Sequence, residues 1–305
     1  MKDLITDIKS LELETIKNLR NSKSANTLRA YQSDYNDFSL FCSKNGFQAM
    51  PTNPKILALY ITHLSSYSKY STLKRRLASI SILHKTKGHY LDIKHPIIME
   101  NLMGIKRTNG SNQKGKKPLS IKDLKILINA IHQSNEKDKR KIRDKALVLI
   151  GFSGGFRRSE LVDIEYEDLE FVSEGVKIFV KRSKTDQSGE GMTKAIPYFD
   201  NEKFCPVIAL KNWIEIFDLK KSRIFNISDK SVALIIKKYA SYAGLDSHRY
   251  AGHSLRSGFA TSTAESGAEE RNIMAMTGHK STEMVRRYIK EANLFKNNAL
   301  NSIKI

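Results

Sequence analysis

Four short stretches in the second half of this 305-residue chain carry side chains that bind anions or move protons. "GFRRSEL" holds Arg157, Arg158 and Glu160; "KRSKTDQ" holds Lys184; "HSLRSG" holds His253 and Arg256; "TGHKSTEMVRRYIK" holds His279 and, nine positions on, Tyr288. Guanidinium groups pair with phosphate oxygens, imidazoles exchange protons near neutral pH, and a phenol is a nucleophile once its proton is removed. Each stretch is weak alone. His253 and Arg256 share one side of a helix by their spacing, as an ordinary surface pair would. Arg157 and Glu160 have the spacing of a common helix salt bridge. Most tyrosines and histidines in a chain of this size serve packing, and a loop lysine such as Lys184 is usually just solvated.

Charge narrows the partner. Lys and Arg number 52 against 32 Asp and Glu, a formal +20, which implies a polyanionic partner or an anionic surface. Residues 1–117 hold 20 Lys/Arg and 8 Asp/Glu, a net +12. No basic amphipathic helix with Trp or Phe anchors appears, so nucleic acid fits better than a membrane surface. No apolar run approaches the roughly 18 residues needed to span a bilayer, and "MKDLITDIKSLELET" lacks a signal peptide's apolar core. A cytoplasmic protein is expected. Cys42 and Cys205 stand far apart, without the paired spacing of a zinc site or disulfide framework, and are read as buried thiols. No metal-ligand cluster or acidic triad is apparent, so no cofactor is expected.

The elements that must position these groups follow from periodicity. In "NTLRAYQSDYNDFSLFC", Leu28, Tyr31, Tyr35, Phe38 and Cys42 recur at steps of three and four, one face of a helix that Gly46 ends. A second helix starts at Pro54 and a third places Leu73, Leu77, Ile80 and Leu83 inward before Gly88. A fourth covers the region of Ile97 to Arg107. Lys74, Arg75 and Arg76 sit in the third helix, where some of them must face away from the apolar stripe; in so basic a bundle they are candidates for DNA phosphates.

"RTNGSNQKGKKPLS", residues 107–120, has no apolar period and reads as a linker, whose Lys114, Lys116 and Lys117 would hold it near a polyanion. Beyond it Ser120, with Asp123 three residues on, opens a new helix, and another covers Lys139 to Gly151. "VKIFV" and "KAIPY" are short extended runs around a Gly-, Ser- and Lys-containing loop, a small antiparallel sheet. Helical patterns resume at Pro206. The expected architecture is mainly α: an N-terminal helical bundle over 1–107, a basic linker over 108–118, and a mostly helical C-terminal domain with a small antiparallel β-sheet over 119–305.

Together, the four stretches resemble the tyrosine recombinase (phage integrase-like) family, in layout most like its Cre-like and Xer-like members. The family's "G-hydrophobic-R-x-x-E-L" pattern falls on Gly155 to Leu161 and assigns the first catalytic arginine to Arg157. Its hairpin lysine falls on Lys184, with Lys181 and Lys194 as neighbouring candidates. "H-x-x-R" falls on His253 and Arg256, "GH" on His279, and the nucleophile on Tyr288. Arg158 then reads as an exposed or DNA-backbone residue. The resemblance covers nearly the whole chain.

That resemblance implies a site-specific recombinase that cleaves and rejoins double-stranded DNA through a 3′-phosphotyrosyl link, with four protomers on two target sites. Arg157 and Arg256 would hold the non-bridging oxygens of the scissile phosphate as charge builds on them. His253 would accept the phenol proton or bond the phosphate, His279 would donate a further bond, and Lys184 would protonate the departing 5′ oxygen. Glu160 would orient Arg157. No magnesium or zinc is called for. The tail "EANLFKNNALNSIKI" carries an apolar stripe of Leu294, Phe295, Leu300 and Ile303, which in the family docks on the neighbouring protomer. The competing readings are a type IB topoisomerase-like enzyme that nicks and reseals one duplex, and a DNA-binding regulator without catalysis.

Overall fold

The computed structural model describes residues 7–110, 115–183, 186, 189–293, 295–296 and 298–303. The chain divides into two compact units, residues 1–114 and 115–305.

The first unit is helical because its apolar residues recur at helical spacing and its helices are started by side chains suited to the task. Five helices are described: α1 (Ile8–Asn21), α2 (Ala25–Lys44), α3 (Pro54–Ser65), α4 (Tyr70–Thr86) and α5 (Pro96–Asn109). Ser24 caps α2 by accepting from Thr27 N, and Asn53 caps α3 by accepting from Ile56 N, with Pro54 in the first turn where no amide hydrogen is needed. Phe38 and Cys42, Leu57, Tyr60 and Ile61, Leu73, Leu77 and Ile80, and Ile98 and Leu102 form one core from α2 to α5. Helix α1 was not expected from the sequence, and its Ile8, Leu11 and Leu13 are exposed. Leu28 is likewise exposed, so the apolar stripe of α2 turns inward only from its second turn onward.

The second unit begins with an extended stretch, not a helix. Lys117 N donates to Arg249 O at 2.8 Å and Leu119 N to Ser254 O at 2.9 Å, so the end of the stretch read as linker is bonded into this unit. Gly258 makes that possible: a Cβ there would lie 2.2 Å from Leu119 O.

Helices α6 (Ile121–Gln133), α7 (Asp138–Ser153) and the short α8 (Arg158–Val162) follow. The antiparallel sheet has order β1-β2-β3: β1 (Leu169–Val172), β2 (Gly175–Val180) and β3 (Met192–Pro197). Strands β2 and β3 overlap the two extended runs foreseen, starting one and two residues before them at Gly175 and Met192, in register Val176 to Ile196 and Ile178 to Lys194; β1 is an addition. Helices α9 (Pro206–Ile216), α10 (Asp229–Tyr242), α11 (His253–Glu265), α12 (Glu270–Thr277) and α13 (Thr282–Ala292) complete the unit. Its main core joins α6, α7, α9 and α10 to the inner face of β2 and β3, while a smaller cluster of Ala260, Ala264, Ile273, Val285 and Tyr288 joins α11, α12 and α13. Both cysteines are buried thiols. No helix among the described residues is long and apolar enough to cross a membrane.

Candidate active site

Four elements supply the site. Arg157 precedes α8, His253 and Arg256 occupy the first turn of α11, His279 follows α12, and Tyr288 lies on α13. The turn from α7 to α8 keeps Arg157 at the edge of the core, because Phe156 beside it is buried. Gly278 ends α12 with φ of +63°, a left-handed conformation that glycine adopts without steric cost, and its N–H donates to Met274 O. That turn aims His279 back toward α11.

Arg256 is the centre. It is 1% exposed, its Nη1 donates to Gly155 O at 2.9 Å, and its Nη2 lies 3.1 Å from His279 Nε2. One guanidinium thus ties α11 both to the turn that presents Arg157 and to the segment that presents His279. Burial lowers its pKa to about 10, Arg157 adding to the effect, so it remains charged at neutral pH. Arg157 is held by Glu160, whose buried carboxylate accepts from both its backbone N–H, at 3.0 Å, and its Nη1. Nη1 also donates to Ser183 Oγ at 2.9 Å.

The Tyr288 hydroxyl lies 3.4 Å from His253 Nε2, and the His279 and Tyr288 rings are 6.3 Å apart. Tyr288 is 6% exposed. Burial pushes its pKa above the ordinary phenol value, while Arg256 and Arg287 pull the other way. Both imidazoles are held neutral. Burial, then Arg256, Arg157 and Arg158, lowers His253; burial, then Arg256, Arg157, His253 and Lys194, lowers His279 to about 4. A neutral His253 can accept a proton from the phenol beside it.

Five of the six catalytic candidates therefore occupy one neighbourhood with Glu160 behind Arg157; Lys184 lies outside the described residues, as does Lys114. Of the other two hairpin lysines, Lys181 pairs with Glu165 and Asp168. Lys194 is fully buried: its Nζ donates to Gly154 O at 2.7 Å and Met276 O at 2.6 Å, 4.0 Å from Glu160 Oε2 and 4.4 Å from the centre of the Phe156 ring. Burial lowers its pKa to about 7. It bridges the segments leading into Arg157 and His279, a supporting place that sequence reading did not give it. The signal was its phase: along β3, Lys194 alternates with Ile196 on the inward face.

The DNA-contact candidates behave differently from one another. Lys74 is exposed, whereas Arg75 pairs with buried Asp34 and Arg76 with Asp37 and Tyr60, latching α4 to α2 and α3. Lys116 Nζ donates to His248 O at 2.5 Å. Lys117 Nζ donates to Asp123 Oδ2 at 2.7 Å and Tyr250 OH at 3.0 Å, an internal commitment invisible in the linker's composition. Arg158 is partly exposed, its stem lying against Gly252 and its head 3.7 Å from Asp229. Separately, a cleft of about 730 Å³ opens among Phe152, Phe199, Phe204, Phe259 and Met276, while Phe295, Leu300 and Ile303 of the tail are exposed.

Residues 119–294 match the phage integrase family. The chain is 42% identical over 306 residues to an integrase/recombinase xerD homolog of Selenomonas ruminantium, covering 95% of this chain and 89% of the relative. In fold it is similar to the XerH site-specific recombinase bound to palindromic difH substrate, with a TM-score of 0.65 at 18% identity over 86% of this chain and 77% of that one. It is also similar to the lambda integrase tetramer bound to a Holliday junction, with a TM-score of 0.58 at 17% identity over 99% and 81%. The family match and a relative aligned over 95% of this chain agree: this chain belongs to the phage integrase family and is an enzyme of the tyrosine recombinase type.

Proposed function

We propose that the chain is a site-specific DNA recombinase with Tyr288 as its nucleophile. The phenolic oxygen attacks the scissile phosphorus, the bond to the 5′ oxygen breaks, and the DNA is left with a 3′-phosphotyrosyl link and a free 5′ hydroxyl. The phenol proton passes to His253 or to solvent, and the departing oxygen takes a proton from Lys184, the role the family resemblance gives that residue. A 5′ hydroxyl from a second duplex reverses the step, so strands are exchanged without ATP. Arg157 and Arg256 stabilise the charge on the non-bridging oxygens of the phosphorane.

The observation that carries this reading is the meeting of Tyr288, His253, Arg256 and His279 around one buried guanidinium, contributed by three separate helical segments. The partner is double-stranded DNA, and four protomers act on two sites; the XerH and lambda integrase complexes to which the fold is similar lend support. Phe295, Leu300 and Ile303 of one protomer seat in the apolar cleft of the next, matching exposed apolar side chains to an apolar cleft. The enzyme works in the cytoplasm, where buried Cys42 and Cys205 remain reduced.

A duplex nicked beside the cleavage point lets the short strand carrying the 5′ hydroxyl diffuse away and so traps the covalent complex. The wild-type protein is expected to accumulate an adduct, and Tyr288→Phe to bind the same DNA while trapping none. An adduct formed by the phenylalanine variant removes Tyr288 from its role.

A further inference from the structure

His279 has a partner at each ring nitrogen. Nε2 faces Arg256 Nη2 at 3.1 Å, and Nδ1 faces Thr277 Oγ1 at 2.7 Å. Donor and acceptor accounting decides which nitrogen carries the proton. A guanidinium only donates, so the bond to Arg256 forms only in the tautomer whose Nε2 presents its lone pair. The proton of the neutral ring is then on Nδ1, aimed at Thr277 Oγ1. From the other end, the single hydroxyl proton of Thr277 is directed at Ile273 O, 2.6 Å away, which leaves an oxygen lone pair facing Nδ1. Two separate arguments select the same tautomer. They give a directional chain from Arg256 through His279 and Thr277 to Ile273 O, in which the neutral ring has no second proton for the phosphate bond that the family resemblance leads us to expect of His279.

We propose that Thr277 is a positioning residue of the active site: its hydroxyl holds His279 in the Nδ1–H tautomer, so that Nε2 receives Arg256 and fixes the guanidinium before DNA arrives. Thr277 is fully buried, so water does not compete for that bond. A proton on Nε2 would set N–H against N–H at Arg256, and the low pKa of His279 agrees with its exclusion. The bland role for Thr277 is a hydroxyl folded back onto the preceding helical turn, which would satisfy the side chain without any histidine. That role leaves the tautomer of His279 indifferent to the hydroxyl.

The inference rests on the recombinase reading only for its catalytic consequence; the tautomer itself is measured on the free protein. The full chain labelled with 15N-histidine is examined by long-range 1H–15N correlation without DNA, the His279 signals being identified by their loss in His279→Gln. Wild type is expected to show the Nδ1–H pattern. Thr277→Val, which keeps shape and burial but removes the acceptor, is expected to shift the ring toward the Nε2–H form. It should also slow adduct formation on the nicked duplex by about tenfold or more while retaining DNA binding, and Thr277→Ser should restore both readouts. An Nε2–H pattern in the wild type overturns the proposal, and does so even if the valine variant does not fold. A valine variant with wild-type tautomer and rate also overturns it. Failure of the wild type to form any adduct would count against the recombinase reading and leave the tautomer result standing.

Discussion

The Tyr288 hydroxyl and His253 Nε2 stand 3.4 Å apart, joined across 35 positions of sequence by the packing of α13 on α11. On the reading proposed above, a neutral imidazole so placed takes the proton of the attacking phenol. His253→Ala is therefore expected to slow single-turnover adduct formation by about 10²- to 10⁴-fold, with DNA binding intact. A rate within threefold of wild type, roughly 0.7 kcal/mol on the barrier, would remove His253 from proton transfer.

The histidines also set a pH signature. His279 titrates near 4 in the folded chain against an ordinary 6.5, so between those values the unfolded chain holds a proton that the native site refuses. This group's contribution to stability is present above pH 6.5 and is lost as pH falls toward 4. Urea unfolding measured from pH 7 to 4 should show that loss, and His279→Gln should flatten part of it. An identical pH slope in the variant contradicts the assignment.

Lys194 carries the opposite experiment. Its folded pKa of about 7 lies below the ordinary 10.5, so stability should rise with pH between those values as the unfolded chain retains a proton the native one sheds. Lys194→Met should lose that rise. It should also be destabilised by about 1–3 kcal/mol at pH 8, because Gly154 O and Met276 O lose their donor. Denaturant titrations of both proteins at pH 7 and 9 test this; equal stability and equal slopes would mean the ammonium does not bridge those carbonyls.

Within the basic triplet, exposure separates roles. Lys74→Ala should reduce the slope of log affinity against log salt by about 1, as expected for one lost phosphate contact. Arg76→Ala should act chiefly on stability, since it leaves Asp37 and Tyr60 without their cation. Binding isotherms at several salt concentrations, alongside thermal melts, distinguish the two. A salt slope unchanged by Lys74→Ala places that lysine away from phosphate.

The helices were legible because each rests on local spacing, as with Phe38 and Cys42 on one helical face or His253 and Arg256 in one turn, while the candidate site residues were read from the family resemblance. What stayed hidden depends on distant partners. Arg75 and Arg76 read as surface cations until Asp34 and Asp37, about 40 residues earlier, come to meet them. Lys117 looks like a free linker charge until Tyr250, 133 positions on, closes over it. Helix α1 was missed because its exposed apolar residues interleave with acids and give no clear inward stripe. Lys194 was weighed as a hairpin lysine although its alternation with Ile196 already pointed it inward.

Tyr288 is stored rather than displayed. On the reading proposed above, a molecule away from DNA keeps its nucleophile packed against α11 and α12 with the phenol's pKa raised by burial, a sheathed blade rather than a drawn one.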